Sequence, residues 1–303
     1  MADIILETRG LTKYYADVLA LDNMTVQIPR GCICGFVGRN GSGKTTAIKL
    51  LLGFLNPTAG TSKLLGCDSK RLAPHIRQRI GYVSEGHRLF QWMEIHEIEK
   101  FQSAFFPGHW DTKFFWNMID YFGLSKRQKI KQLSNGQRAQ VSLALSLAPN
   151  PELLIMDDPT LGLDAVIRRQ FLEGIIRLIM QQGRTIFFSS HILSDVERVA
   201  DRLLVIDKGV IRADCSMDEF RSAIKKVKFV FSQKPPDEIG IEGLLHSRAG
   251  EKELELVLVD TRDEKIAEWA DSVGAVEYQP VDMNLEDQFI EYTAPAGKTK
   301  LFG

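Results

Sequence analysis

Gly38-Arg39-Asn40-Gly41-Ser42-Gly43-Lys44-Thr45 is a complete G-x4-G-K-T loop, and the apolar run Cys32-Ile33-Cys34-Gly35-Phe36-Val37 leads into it. Glycines let successive backbone N–H groups turn inward around phosphate oxygens. The helix predicted from about Lys44 to Gly53 would aim its positive dipole end at the same anion. In this pattern Lys44 reaches the β- and γ-phosphates and the Thr45 hydroxyl ligates Mg2+. Gly38, Asn40, Gly41, Ser42, Gly43, Lys44, Thr45 and Thr46 are therefore the expected binding residues for a nucleoside triphosphate. A strand before the loop and a helix after it is the context that separates such a loop from an inert glycine-rich turn.

Composition narrows the partners. With Lys+Arg 38 against Asp+Glu 39 in 303 residues, the formal charge is -1, and no basic footprint argues for nucleic acid. The run Lys126-Arg127-Gln128-Lys129-Ile130-Lys131 is locally basic and reads as a solvated helix end rather than a polyanion site. Cys32, Cys34, Cys67 and Cys215 lack metal-ligand spacing beyond one C-x-C, so buried thiols in a reducing cytosol are expected. No run approaches the ~18 apolar residues of a membrane span. Met1 to Thr8 also lacks a basic region with an apolar core behind it. The chain is expected to be soluble and cytoplasmic, reaching a membrane only through a partner.

Working outward from the loop, β-type runs are predicted at Ile4–Glu7, Met24–Ile28, Cys32–Val37 and Ser62–Leu65. Further strands are expected at Ile80–Val83, Leu153–Met156, Thr185–Ser189 and Leu203–Ile206. Strands alternating with helices indicate an α/β layer with a mostly parallel core sheet. Residues 86 to 150 break that rhythm. Ile95, Ile98, Phe101 and Phe105, then Phe114, Phe115, Met118, Ile119 and Phe122, fall at helical spacing, so an inserted helical lobe is predicted over about 86–150. Its many aromatics, including Phe90, Trp92, Phe106, Trp110, Trp116 and Tyr121, either build a small core or line an exposed groove that receives another protein. Past residue 220 the composition shifts. Strands at Lys225–Phe231 and Glu253–Val259 and helices at Arg262–Ser272 and Asn284–Tyr292 give a small α+β domain over 221–303, after a domain spanning 1–220.

Other stretches choose among triphosphate-binding proteins. Leu153-Leu154-Ile155-Met156-Asp157 is an apolar strand ending in a carboxylate, the arrangement that sets an acid against Mg2+ beside the loop. Asp158, Pro159 and Thr160-Leu161-Gly162-Leu163-Asp164 follow. Leu133-Ser134-Asn135-Gly136-Gln137 opens a helix upstream, and His191 follows Ser189-Ser190 downstream.

In that order and spacing, residues 3 to 220 resemble the nucleotide-binding subunit of an ATP-binding cassette (ABC) transporter. The resemblance implies a P-loop NTPase fold of ABC type, with a mostly parallel core sheet, an antiparallel β subdomain and the helical lobe. It implies two copies closing head to tail on two ATP molecules with Mg2+. Ser134, Gly136 and Gln137 would then meet the γ-phosphate across the dimer, helix N-terminus first. Asp164 would lie in the stretch that crosses the interface, His191 would hold the γ-phosphate, and Tyr15 would stack on adenine, with Tyr14 the lesser candidate. Thr45, Asp157 and Glu85 would surround the metal.

Three positions depart from the family pattern. Asp158 stands where a glutamate base is usual, retracting the carboxylate by ~1.3 Å. Glu85 stands where a glutamine is usual, adding negative charge near the metal. Asn135 replaces a glycine in the signature and, as an Asn, tolerates a positive φ better than most residues, so the turn can survive. The hypothesis is slow hydrolysis, with Asp158 as base and Glu85 and His191 assisting; neutral drift explains the substitutions equally well.

The tail Asn284–Tyr292 also resembles the closing helix of ATPase subunits that serve export-type permeases, and Phe106–Asp111 resembles a subset of them. The expected function is an ATPase that energises a separately encoded permease of export type from the cytoplasmic face of the membrane. Two alternatives stand: a slow regulatory module gating a membrane partner, and a non-transport cassette protein. The second is disfavoured by the single loop and the absence of sustained heptads.

Overall fold

Along Met24–Ile28 burial alternates residue by residue, whereas every position of Leu153–Met156 and of Thr185–Ser190 is buried. The first pattern is that of a sheet with one wet face, and the second that of strands covered on both faces. The computed structural model describes residues 3–180 and 183–294, so Met1, Ala2 and residues 295–303 of the expected C-terminal domain lie outside the described residues. The chain divides into two compact units, Met1–Ile211 and Arg212–Gly303.

The first unit runs β1 (Ile4–Tyr15), β2 (Val18–Pro29), β3 (Ile33–Val37), α1 (Lys44–Leu51), β4 (Ala59–Leu64), β5 (Cys67–Asp68), α2 (Pro74–Arg77) and β6 (Ile80–Val83). It continues through α3 (Ile95–Ser103), α4 (Thr112–Tyr121), α5 (Asn135–Leu147), β7 (Leu153–Met156), α6 (Ala165–Met180), β8 (Thr185–Ser190), α7 (Leu193–Glu197) and β9 (Arg202–Asp207). β10 (Val210–Ser216) spans the division. One antiparallel sheet has the order β2-β1-β4-β5. A second, ordered β10-β9-β3-β8-β7-β6, is parallel from β9 through β6. Side chains from both, among them Met24, Ile28, Phe36, Ile155 and Phe187, share one core with Ile48 of α1.

β1 runs well past Glu7. It crosses Arg9-Gly10 as an irregularity in the pairing, where the Gly10 N–H is taken by Thr25 Oγ1 at 2.9 Å, a break the sequence read as a strand end. Lys126–Gln128 of the basic run form a loop whose Lys126 and Gln128 carbonyls accept the His96 and Ile95 N–H groups, while Lys129 caps the 3-10 turn Ile130–Gln132, so the later part of the run does sit at a helix end. In the helical lobe Phe115 is buried, while Phe90, Trp92, Phe101 and Phe105 are exposed and make a chain of ring contacts. Phe115 thus serves the core of the lobe, and the other four rings lie on its surface. The cysteines form no disulfide among the described residues, and Cys34 and Cys215 are buried.

The second unit adds α8 (Met217–Ala223), β11 (Ile224–Val230), β12 (Leu244–Ala249), β13 (Glu253–Val259), α9 (Asp263–Ser272), β14 (Glu277–Val281) and α10 (Leu285–Thr293). Its antiparallel sheet, β12-β13-β11-β14, packs Phe229, Leu254 and Leu258 against Ile266 and Trp269 of α9. β12 and β14 carry no alternation because they are edges, and an edge also accommodates Pro280. The division falls at residue 211 rather than 220 because Phe220 packs edge-on against Tyr292, whose hydroxyl donates to Arg212 O at 2.7 Å.

Glu152 at the start of β7 accepts from Arg30 Nη1 at 2.7 Å and from both Nε and Nη2 of Arg79. Arg79 first and Arg30 second hold its carboxyl down at about 2. A depressed carboxylate contributes stability above its unfolded value near 4.5 and loses it as pH falls toward about 2. With the side chain 36% exposed, screening leaves about 1 kcal/mol. Glu152→Gln should lower the melting temperature by about 2–4 °C at pH 7, and thermal unfolding at pH 3 should show most of that difference gone.

Candidate functional site

β3 ends at Val37 and releases the chain into the loop, which closes where Gly43 adopts φ 109° as the cap of α1. A Cβ there would lie 2.4 Å from Ala20 O, so only glycine fits. Lys44 is buried, and its ammonium donates to Gly38 O at 2.7 Å and Arg39 O at 3.2 Å. Burial pushes its pKa down, against the pull of Asp158, Asp157 and Glu85. Ser42 Oγ is buried with no hydrogen-bond partner among the described residues.

β7 brings Asp157 to this loop. Its Oδ1 accepts from Thr45 Oγ1 at 3.1 Å and from Ser189 Oγ at 2.9 Å, while burial pushes its carboxyl pKa up against those two bonds. Asp158 sits at φ 45°, and its N–H donates to the same Ser189 hydroxyl at 2.9 Å. His191 Nδ1 lies 2.8 Å from Asp158 Oδ2 and 3.0 Å from Oδ1. An ionised carboxylate only accepts, so Nδ1 carries the proton. Asn40, Gly41, Gly43, Lys44, Thr45, Thr46, Glu85 and Asp158 line one cavity of about 280 Å³. Glu85, Thr45 and Asp157 also line an adjoining one of about 360 Å³.

Residues 21–161 match the family model described as ABC transporter. The bacitracin transport ATP-binding protein BcrA of Bacillus licheniformis is 31% identical over 224 residues, covering 73% of each chain. This chain belongs to the ABC transporter ATP-binding family. An uncharacterized ABC transporter ATP-binding protein of Nostoc is 35% identical over 208 residues, 67% of this chain and 61% of that one, so this chain spans about three fifths of that relative. The daunorubicin/doxorubicin resistance ATP-binding protein DrrA of Streptomyces peucetius is 31% identical over 72% of this chain and 67% of its own. A solved ATP-binding subunit of an ABC transporter superposes with TM-score 0.64 at 23% identity over 72% of this chain and 92% of that one, a likeness of fold.

The ABC site suits its nucleotide. A buried ammonium bonded only to neutral carbonyls and an orphaned buried hydroxyl are the groups a phosphate would satisfy. The Thr45 hydroxyl and Asp157 carboxylate are hard oxygen donors of the kind Mg2+ takes. Among the described residues no group of three or more His, Cys, Asp and Glu could hold a metal, so phosphate oxygens and water would have to complete the shell.

Several expected residues stand elsewhere. Ser134, Gly136, Gln137 and Asp164 line neither cavity. Ser134 caps α5, accepting from Gln137 N at 3.2 Å while the Gln137 side chain accepts from Ser134 N at 2.9 Å. Gly136 is required by packing, since a Cβ would lie 2.7 Å from Ile167 Cγ2. Asn135 is not at positive φ; it opens α5 and accepts from Arg138, so the expectation of a left-handed turn there is corrected. Tyr15 and Tyr14 are both half-exposed at the end of β1, and Lys13 Nζ sits 5.3 Å from the Tyr15 ring centre. Asp164 Oδ1 accepts from Val166 N and Ile167 N at 3.0 Å, capping α6.

Two residues escaped the sequence reading. Ser189 joins the paired carboxylates, and its only signal was its place before His191. His87, 2% exposed, directs Nε2 at Pro159 O at 3.0 Å, with burial holding its pKa down. Ser189→Ala strands the Asp158 N–H and removes a donor to Asp157. Denaturant unfolding should show a loss of about 1–3 kcal/mol, and an unchanged midpoint would deny the hydroxyl that role.

Proposed function

We propose that the chain is an ATP-hydrolysing subunit that closes as a homodimer on ATP and energises a separately encoded membrane permease of export type. The observation that carries this is the Asp158–His191 pair beside the Lys44–Thr45–Asp157 cluster. Bound Mg2+ would neutralise charge on the phosphates. Lys44 would exchange two neutral carbonyls for phosphate oxygens, a stronger charge-assisted contact. Asp158 would take the proton of the attacking water, its carboxylate held in place by His191 Nδ1. With Nδ1–H given to Asp158, His191 would meet the γ-phosphate as a donor through Nε2–H, which requires the doubly protonated ring.

Export is supported by relatives named for bacitracin transport, daunorubicin/doxorubicin resistance and Nod factor export. A dimer is supported by a solved cassette in a dimeric post-hydrolysis state bound to ADP and Pi, which shares the fold with TM-score 0.64 at 22% identity. Ser134, Gly136, Gln137 and Asp164 would complete the partner's site, and Tyr15 would stack on adenine. No described helix is long and apolar enough to cross a membrane. On this reading, attachment to the cytoplasmic face runs through the permease. The exposed rings of Phe90, Trp92, Phe101 and Phe105 would offer the docking surface. A slow gating module is the second reading, favoured by the short base at Asp158.

Steady-state turnover decides the chemistry. Asp158→Asn should lower kcat at least a hundredfold, and Asp158→Glu should raise it by up to about a hundredfold by restoring the base's reach. Glu85→Gln should alter the Mg2+ requirement several-fold. Full activity in Asp158→Asn would mean that another group is the base. On the permease complex, Trp92→Ala should cut stimulated turnover about tenfold while permease-free turnover stays within twofold.

A further inference from the structure

Asp195 lies on α7, four residues beyond His191, and is 3% exposed. Its Oδ2 accepts from Thr160 Oγ1 at 2.7 Å, and its Oδ1 faces Arg168 Nε at 3.4 Å. Thr160 immediately precedes the stretch Leu161–Asp164, and Arg168 follows it on the first turn of α6. The stretch itself is largely exposed, and its hydrogen bonds are local: Leu161 N to Asp158 O, Leu163 N to Thr160 O, and the Asp164 cap. One buried carboxylate thus grips both ends of an exposed segment.

Such a carboxylate adds little to stability. Its desolvation is met by one hydroxyl and one long ion pair, and a packed apolar side chain would serve a core as well. What it supplies is geometry, because its acceptor directions fix Thr160 and Arg168 relative to the helix that follows His191. On the other side, His87 ties Pro159 O to the loop that carries Glu85.

We propose that Asp195 is a positioning residue that pins Leu161–Asp164 in one conformation and couples that segment to His191. Resting on the dimer reading above, the segment is then presented to the second copy only as the γ-phosphate contact through His191 sets α7. Asp195 acts through Thr160 and Arg168 and touches no substrate.

The test uses the full chain with Thr160→Val, Thr160→Ser and Asp195→Asn. Hydrogen exchange without nucleotide reads the clamp directly. The amides of 161–167 should exchange about tenfold faster in Thr160→Val, those of α4 should not change, and Thr160→Ser should restore the original rate. With nucleotide, Thr160→Val should lower kcat about tenfold and flatten the sigmoidal ATP dependence, while affinity for a fluorescent ATP analogue stays within twofold. Asp195→Asn, which keeps an acceptor for Thr160 but not the charge for Arg168, should fall between. Unchanged exchange at 161–167 in both Thr160→Val and Asp195→Asn overturns the proposal, as does a fall in analogue affinity equal to the fall in kcat. If the unaltered chain neither dimerises nor hydrolyses ATP, the functional reading fails while the exchange result still decides the clamp.

Discussion

Lys44, Asp157 and Asp158 are all buried within one small volume, and the rest of the first unit is arranged so that this can be so. Desolvating a single ion costs several kcal/mol after relaxation. Here the costs are offset by mutual attraction and by neutral donors and acceptors set at short range. Ser189 is the most economical of these, because one hydroxyl donates to Asp157 and accepts from the Asp158 N–H. Lys44, held by loop carbonyls, remains under-satisfied in a way that an anion would correct.

The parallel sheet makes this crowding possible. β3, β8 and β7 follow one another in the sheet and run the same way, so their carboxyl ends deliver the phosphate loop, His191 and Asp157 to one edge. Continuous apolar burial along β7 and β8 fixes those ends, and polar residues begin where the apolar run stops. Ligands of open α/β sheets gather at such ends. The strand sequence therefore specifies both the core and the location of the charge.

The parts legible in the sequence are those whose reason is local. A glycine-rich loop between an apolar strand and a helix announces its chemistry within eight residues, and an apolar strand ending in Asp157 does so within five. Ser189, His87 and the Thr160–Asp195 bond were not legible, since each joins residues at least 31 apart and no period or spacing marks the partner. Gly136 is expected to meet phosphate across the dimer, while within this chain it faces Ile167, a crowding that the motif alone does not announce. The edge strands β12 and β14 were missed for a related reason, as alternation is written only where one face is buried.

Within one chain the Ser134 end of α5 and Asp164 are spent on helix caps, while the cavity beside Lys44 is lined by other residues. A cap satisfies N–H groups that a ligand could also take, so these two helix ends are settled without nucleotide. On the dimer reading, closure has to bring them against a nucleotide that the other copy holds, and the ends must already be in place when they arrive. Leu161–Asp164 is the exposed connection between the buried carboxylates and α6. Fixing it from within, through Asp195 on the helix after His191, lets the state of one cavity set the surface that meets the other. Pinned to α7, the segment moves only with that helix, whereas an untethered one would present the surface too seldom.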